Sequence, residues 1–380
     1  MSKQMIDKRD AIYNQGTILS NAGKANEAMA LYSNAIQANP DIPGLRTRRA
    51  YLITGDPKLS LEAAKADALA DIELGKKQKD DSKSLSAMYG ALASYYQKKQ
   101  QWADVVVASN EAIKLYPNNS GAYSLRAFAE HAMGNLPAMK ADVAKMEQYS
   151  NPQNFFDSYT NAITFFNCEV FPKALVYENK AIALAPNDSL KRSLEFVRLS
   201  TLMQMKSLDA ALAQVNALLV VEPKNAELLS TKGQALSGKG QDEAALACYT
   251  ASLKQDSTKA LTYKLRGDLY LKIIEEDRAL EDYDQALKLD PTDWHSYAAR
   301  ARLYEQAKKY RLAIADATQS MKLGPKNPQR LGFLLELRGS SKLELHMYNE
   351  ALPDLVQAGK IYPNSSRIKS LVEIAKKKGS

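Results

Sequence analysis

The residues best suited to acid–base, nucleophilic or metal chemistry are few and lie far apart in the chain. The 380-residue sequence has three histidines and two cysteines, which are His131, His295, His346, Cys168 and Cys248. A catalytic nucleophile needs a base beside it, and a zinc site needs several Cys, His or carboxylate ligands at short spacing. None of the five has such neighbours in the sequence. We therefore interpret them as structural residues and predict no metal site and no cofactor.

Glycine and carboxylate patterns do not indicate a catalytic site either. The nearest match to a phosphate-binding loop is SGKGQDE at 237–243, which lacks both common glycine spacings of such loops. Its place between two helical patterns indicates a turn. The carboxylate pairs Asp80–Asp81 and Glu275–Glu276 fall in polar segments, where we expect them to be solvated. The sequence therefore predicts no catalytic residues and a protein that is not an enzyme.

The charge balance permits an acidic partner without identifying one. The chain has 51 basic and 43 acidic residues, a formal net charge of +8, and no run of five like charges. Interleaved charges of both signs are typical of a solvated surface. Nucleic acid is therefore a possible partner but not the favoured one.

No stretch of the chain is long and apolar enough to predict a membrane span, which needs about 18 or more apolar residues in a row. The N-terminal segment MSKQMIDKRDAIYNQ lacks the apolar centre of a secretory signal. Two widely separated cysteines fit a reducing compartment. We expect a cytoplasmic protein, or a periplasmic or exported one if a signal peptide was removed.

The clearest pattern in the sequence is a unit of two helices, best seen at residues 260–293. Apolar and small residues recur there at the spacing of one helix face, and a proline follows the second helix. The residues that define the unit are Tyr263, Gly267, Tyr270, Ala279, Tyr283, Ala286 and Pro291. The same skeleton returns 34 residues later and, with variations, along most of the chain.

The small residues of the unit have a packing role. We expect Gly267 and Ala279 to lie where the two helices cross, since the absence of large side chains lets the backbones approach closely. Tyr263, Tyr270 and Tyr283 would then interlock around the crossing. Because one helix pair cannot bury its whole apolar surface, each pair must pack on the next.

This pattern resembles the tetratricopeptide repeat. The resemblance implies an all-α, right-handed superhelical solenoid of about ten helix-turn-helix motifs with a C-terminal capping helix. It covers a continuous array over 9–363, followed by the capping helix at 366–378. The predicted copies span 9–42, 43–85, 86–119, 120–153, 154–188, 192–225, 226–259, 260–293, 294–327 and 332–365.

Two copies depart from the regular pattern in ways that affect the prediction. The second copy fits poorly, and the polar segment KKQKDDSKS at 76–84 is interpreted as an insertion loop. The ninth copy ends at Pro325, and a four-residue insertion precedes the tenth.

In the family, the first helices line the concave face, so the resemblance implies a binding groove there. In the fourth to sixth copies the corresponding positions are mostly apolar or aromatic, which is more than stacking requires. The candidate groove residues of these copies are Phe128, His131, Phe156, Tyr159, Ile163, Phe166, Phe196 and Met203. Tyr13 and Arg302 are predicted as flanking polar contacts.

Two interpretations of the aromatic positions remain open. They form a groove for a peptide or an amphipathic helix, or they pack against neighbouring copies in a tight superhelix. A slip in the assigned register would also turn core residues into apparent groove residues.

The sequence therefore predicts a protein–protein interaction scaffold that binds a peptide or helical segment in a concave groove. The carboxylate clamp that some family members use for chaperone tails is not favoured. Arg48 matches one clamp position, but Gly44 and Thr47 do not complete the set. Alternatives are an RNA-binding helical repeat, which would need a basic groove with interleaved aromatics, and a self-associating homo-oligomer or co-chaperone adaptor.

Overall fold

The computed structural model describes residues 2–56, 59–324 and 327–379. Within these residues the regular secondary structure consists of 21 α-helices without any strand. The helices follow one another in pairs joined by short turns, with one further helix at the C-terminal end. The prediction of an all-α fold of about ten helix-turn-helix motifs and a C-terminal helix is confirmed.

The chain divides into two compact units, residues 1–207 and 208–380. In the first unit, α1 to α10 form five hairpins, and each hairpin packs on the next helix along the chain. The helices of this unit are α1 (Lys3–Asn21), α2 (Ala25–Ala38), α3 (Leu45–Gly55), α4 (Leu61–Lys77), α5 (Ser82–Lys98), α6 (Trp102–Leu115), α7 (Ser120–Ala132), α8 (Leu136–Tyr149), α9 (Phe155–Asn167), α10 (Phe171–Leu184) and α11 (Asp188–Gln204).

In the second unit, α13 to α20 form four hairpins, α12 packs on α13, and α21 packs on α20. The helices of this unit are α12 (Leu208–Val221), α13 (Ala226–Gly238), α14 (Asp242–Gln255), α15 (Ala260–Lys272), α16 (Glu276–Leu289), α17 (Trp294–Gln306), α18 (Tyr310–Leu323), α19 (Pro328–Glu344), α20 (Tyr348–Ile361) and α21 (Ser366–Gly379). That the copies form one continuous array over 9–363 stays a prediction.

In most hairpins the turn between the two helices contains a residue in the left-handed conformation. In the segment SGKGQDE this residue is Gly240, with φ 75°, between α13 and α14. The segment is therefore a turn between two helices, as the sequence predicts. It is not a phosphate-binding loop.

The hairpin of α15 and α16 crosses at the small residues that the sequence singles out. Ala279 is fully buried, and a Cβ added to Gly267 would lie 3.2 Å from Cε1 of Tyr283. Tyr283 is itself fully buried, and Tyr270 packs against the same cluster. The rings of Tyr263 and Tyr270 both lie 5.8 Å from the Arg266 guanidinium.

Arg266 joins three helices in a way that the apolar pattern does not reveal. Its Nε and Nη2 each donate to Asp282 of α16 at 2.8 Å, and Nη1 donates to Thr250 Oγ1 of α14 at 3.1 Å. Because a guanidinium presents several donors in one plane, it binds a carboxylate with two hydrogen bonds and still reaches the preceding hairpin. The same two-bond pairing occurs at Arg49–Asp67, Arg126–Asp142, Arg300–Asp316 and Arg338–Asp354. We call these five pairs the arginine–aspartate bridges.

The expectation of an insertion loop at 76–84 is wrong. Helix α4 continues to Lys77 and α5 begins at Ser82, so four residues separate them. The carboxylates in this turn have structural partners: Asp81 Oδ1 accepts a 2.9 Å hydrogen bond from the Ser84 amide, and Asp80, with a side chain only 4% exposed, pairs with Arg9 of α1 at 3.3 Å. The expectation that this carboxylate pair is solvated is therefore wrong for Asp80, whereas Asp81 is exposed as expected.

The C-terminal helix α21 covers the last hairpin, as predicted. Ile368 and Ala375 are buried, and Leu371 and Val372 pack against the cluster formed by α19 and α20. Pro325, the predicted end of the ninth copy, lies outside the described residues.

We expect the arginine–aspartate bridges to contribute strongly to stability. Replacing Arg300 with Met should lower the free energy of unfolding of the second unit by about 2 kcal/mol, because Asp316, with a side chain only 10% exposed, loses two hydrogen bonds and its counter-charge. Replacing the exposed Arg302 on the same helix should change it by less than about 0.5 kcal/mol. Urea unfolding followed by Trp294 fluorescence in a Trp102→Phe background reports on this unit. Equal effects of the two substitutions would contradict the structural role of the bridge.

Two glycines of the last hairpin should respond to alanine in opposite directions. A Cβ at Gly339 would lie 2.7 Å from Cγ of Leu355, so Gly339→Ala should destabilise the second unit by about 1–3 kcal/mol. A Cβ at Gly359 would meet Ile368 Cγ2 at 3.6 Å, an ordinary contact. Gly359→Ala should therefore stabilise by about 0.5–1 kcal/mol through helix propensity. The same urea measurement checks both, and a neutral Gly339→Ala would show that the hairpin crossing is looser than described.

Candidate functional site

The most exposed aromatic side chains among the predicted groove residues lie at the start of α9. Phe156 is 50% exposed and Tyr159 is 36% exposed. The partly buried Phe155 contacts both, with ring-centroid distances of 5.4 Å to Phe156 and 5.8 Å to Tyr159. We call Phe155, Phe156 and Tyr159 the α9 aromatic cluster. Asn154 fixes the start of the helix beneath it, since Asn154 Oδ1 accepts a 2.8 Å hydrogen bond from the Phe156 amide.

The opposite face of α9 is packed in the core of the first unit. Ala162 and Phe165 are fully buried, and the Phe165 ring stacks on Tyr177 of α10 at 5.6 Å with an interplanar angle of 19°. Burial, together with a hydrogen bond to Glu147, raises the pKa of Tyr177 to about 12. Helix α9 therefore carries large apolar residues on a buried face and on an exposed face.

Two predicted groove residues of the first unit pack against other aromatic side chains. Phe128 of α7 contacts Trp102 edge to face at 5.4 Å, and Phe166 of α9 contacts Phe171 at 5.9 Å. Trp102 and Phe171 are the first residues of second helices, α6 and α10. Phe128 and Phe166 thus contribute to packing between helices as well as to the surface.

The remaining predicted residues of the first unit are partly buried and more dispersed. His131, Ile163, Phe196 and Met203 belong to this group. In the described part of the chain, neither Phe128 nor Phe196 makes a ring contact with the α9 aromatic cluster. The structure places Phe156 and Tyr159 in one cluster, whereas Phe166 lies at the other end of α9 and Phe128 and Phe196 lie on other helices.

Tyr13 lies at a second surface of the first unit, formed by α1, α3 and α5. The Arg48 guanidinium lies 4.6 Å above its ring, and Arg9 lies 5.7 Å from it. Burial raises the pKa of Tyr13 above its ordinary value, although both arginines oppose the shift. Its neighbour Gly44 has φ 94°, and a Cβ there would overlap the Tyr13 hydroxyl. The sequence did not reveal the contact between Arg48 and Tyr13, because the two residues are 35 positions apart and lie on different helices.

The second unit contains a pocket of about 390 Å³ between α15, α17 and α19. Its lining includes Trp294, His295 and Arg302 from α17, and Arg330 and Phe333 from α19. We call it the α17–α19 pocket. The rings of Trp294 and His295 lie 4.7 Å apart, and the Arg330 guanidinium lies 5.0 Å from the Trp294 ring.

Sequence reasoning singled out Arg302 in this pocket but missed the contribution of α19. That helix begins at Pro328, four residues before the predicted start of the tenth copy, so Arg330 fell in the presumed insertion. A signal was present: Asn327 precedes Pro328, and its Oδ1 accepts from the amides of Gln329 and Arg330 at 2.9 and 3.2 Å. Asn followed by Pro is a typical helix start.

The residues considered for chemistry at the outset do not assemble into a site. Among the described residues, no group of three or more His, Cys, Asp or Glu side chains is placed to hold a metal ion. Burial raises the pKa of the Cys168 thiol to about 12, which makes it a poor nucleophile. His346 Nδ1 shares a 2.7 Å hydrogen bond with the Tyr348 hydroxyl. In the part of the chain that is described, no helix has the length and hydropathy needed to cross a membrane.

Sequence models of known families match this hairpin pattern near the N-terminus and within the second unit. One model of the tetratricopeptide repeat matches residues 10–42 and 262–293, and a second matches residues 282–315. The chain is a tetratricopeptide repeat protein. Among curated protein sequences, none matches it.

Solved structures with similar folds include the human IFIT1 dimer. Its complex with m7Gppp-AAAA has a TM-score of 0.52 at 13% identity and covers 96% of this tetratricopeptide repeat chain and 88% of IFIT1. The complex with PPP-AAAA has a TM-score of 0.51 at 13% identity, with coverage of 100% and 93%. The APC/C hetero-tetramer Cut9–Hcn1 has a TM-score of 0.47 at 14% identity, with coverage of 96% and 75%. At such identities the likeness concerns the fold alone.

Alanine substitutions of two phenylalanines on α9 should distinguish a core position from a surface position in this tetratricopeptide repeat protein. Phe165→Ala should destabilise the first unit by about 3–5 kcal/mol, because it empties a fully buried site. Phe156→Ala should cost less than about 1 kcal/mol, because half of this side chain is already exposed to water. Circular dichroism during urea unfolding measures both. A larger loss of stability from Phe156→Ala than from Phe165→Ala would mean that Phe156, and not Phe165, lies in the core.

Proposed function

We propose that this tetratricopeptide repeat protein is a non-enzymatic scaffold that binds a peptide or a helical segment of another protein through its first helices. The repeat type supports a role in protein–protein interaction. The observation that carries the finer proposal is the α9 aromatic cluster, which leaves Phe156 and Tyr159 at the surface while the core face of the same helix is already filled. A helix that is apolar on more than one face either is buried or contacts a partner.

The chemistry of the cluster suits an apolar side chain of a partner. Aromatic residues are enriched among the residues that dominate binding energy, because they bury a large area with few rotatable bonds. Because Phe156 is already half buried, covering the rest of its ring contributes about 1 kcal/mol. Phe155 holds the two exposed rings in place, so little side-chain freedom is lost on binding.

The composition of α9 favours protein over nucleic acid as the partner of the cluster. Helix α9 has the sequence FFDSYTNAITFFN, which contains one aspartate and no lysine or arginine. A surface for single-stranded nucleic acid needs cations between its aromatic residues to follow the phosphates. The RNA in the IFIT1 complexes belongs to those proteins, and at 13% identity it does not transfer to this chain.

The proposal is tested by comparing partner capture by two double variants. Phe156→Ala with Tyr159→Ala removes the exposed rings of α9. Val107→Ala with Val176→Ala removes two exposed valines from second helices of the same unit, which are 63% and 51% exposed. Each tagged protein is used to capture partners from the native cells, and bound proteins are quantified by mass spectrometry.

We expect at least one specific partner to fall about tenfold with the α9 variant and to be retained by the valine variant. Unchanged helicity and melting temperature would show that the loss is not due to unfolding. Partner profiles that are the same for both variants would rule out the α9 aromatic cluster as the binding surface. If the captured partner is a second copy of this chain, light scattering will show the change in oligomeric state.

A further inference from the structure

The α17–α19 pocket combines an apolar lining with two arginines that have no carboxylate partner. Arg302 and Arg330 are exposed and line the pocket, and neither forms an ion pair within the described residues. Arg300 and Arg338, on the same two helices, are instead held by Asp316 and Asp354 in arginine–aspartate bridges. The charges of Arg302 and Arg330 therefore remain available to a ligand.

The carboxylate that lines the same pocket is already engaged. Asp268 accepts a 2.7 Å hydrogen bond from the Tyr283 hydroxyl. With two arginines and one aspartate, the pocket lining has a net charge of +1, which favours an acidic ligand.

The middle of the pocket suits a large apolar side chain. Ala298 and Ala299 of α17 are small, so they leave space between the two helices. Phe333, which is 40% exposed, and Trp294 border this space. Burial of an aromatic or large aliphatic side chain there would remove exposed apolar surface on both sides of the contact.

Arg302 of α17 and Arg330 of α19 lie at well-separated points along the axis of α17. Arg330 lies against Trp294, the first residue of α17, whereas Arg302 follows Trp294 by eight residues. Eight residues of α-helix span about 12 Å. An extended peptide covers a similar length, about 13 Å, in four residues, and its residues i, i+2 and i+4 face the same side. Two carboxylates with one apolar residue midway between them match this spacing.

We propose that the α17–α19 pocket binds an internal, extended segment of a partner protein with the pattern acidic–x–aromatic–x–acidic. The aromatic side chain enters between Trp294 and Phe333, and the carboxylates pair with Arg330 and Arg302. Because the side chains of the two acidic residues supply both carboxylates, the segment can lie within a chain and does not need a free C-terminus. This site is separate from the α9 aromatic cluster and does not depend on it.

The test uses the full chain with Trp102→Phe, so that Trp294 in the pocket is the only tryptophan. The probe is acetyl-Glu-Ser-Phe-Ser-Glu-amide, which has blocked ends. Matched peptides replace both Glu with Gln or replace Phe with Ala, and acetyl-Gln-Ser-Phe with a free carboxylate represents a C-terminus. Trp294 fluorescence and isothermal titration calorimetry give the affinities.

We expect saturable binding of the probe, about tenfold weaker binding of each blocked matched peptide, and a lower affinity at high salt. Arg302→Gln with Arg330→Gln should weaken the Glu peptide about tenfold and leave the Gln peptide unchanged. Arg311→Gln, an exposed arginine on α18 outside the pocket, should have no effect. The Phe156→Ala, Tyr159→Ala variant should bind the probe as the wild type does.

Several results would overturn the proposal. They are an absence of saturable binding, equal affinity for the Glu and Gln peptides, equal effects of Arg311→Gln and the pocket variants, or tighter binding of the free-carboxylate peptide. Loss of probe binding in the α9 variant would also overturn it, because the peptide would then occupy a different surface. Failure here leaves the partner-capture experiment on α9 unaffected, so the two proposals are tested separately.

Discussion

The arginine–aspartate bridge is the interaction on which the regular hairpins depend. A hairpin of this size cannot bury its apolar surface alone, so its stability requires correct placement on the preceding hairpin. Arg266 makes both connections at once, through two hydrogen bonds to Asp282 within the hairpin and one to Thr250 in the hairpin before it. Apolar packing is not directional, whereas a planar guanidinium donates its hydrogen bonds only in fixed directions. The bridge therefore fixes how one hairpin is oriented on the next while small residues set how closely the helices approach.

Helix α9 lacks this bridge and has aromatic packing in its place. Where the regular hairpins have arginine before the small residue, α9 has Asn161, whose Nδ2 donates to Ser150 Oγ at 2.7 Å. Tyr177 occupies the aspartate position of α10 and stacks on Phe165. The next residue, Glu178, is fully buried, accepts from Thr201 Oγ1 of α11 at 2.5 Å, and has a pKa raised by burial. Aromatic packing thus replaces ionic orientation in this hairpin, and the exposed rings of the α9 aromatic cluster extend that aromatic content to the surface.

The fold could be predicted from the sequence because its determinants are local and repeated. Gly267, Ala279 and Tyr283 recur at spacings that only a pair of crossed helices explains, and the structure places them at such a crossing. The sites were harder to predict because their contacts join distant residues. Asp80 is buried by Arg9, which is 71 residues away, so its polar surroundings in sequence were misleading. Arg330 was not predicted because α19 starts earlier than the repeat period indicates. The Asn327–Pro328 pair is a typical helix start, but it does not fit that period.

Arg300 and Arg302 show why residue type alone does not distinguish structure from function in this protein. They are two residues apart on α17, yet their side chains leave the helix in directions about 200° apart. Arg300 turns toward α16 and α18 and is occupied by Asp284 and Asp316, both at 2.7 Å. Arg302 turns toward the pocket, where Asp268 is already bonded to Tyr283. Within the described residues Arg302 forms no ion pair, so its charge remains available to a ligand. An arginine in such a repeat is therefore a candidate binding residue only when its neighbours leave it without a carboxylate partner, as in Arg302, and not when an aspartate of the next helix binds it, as in Arg300.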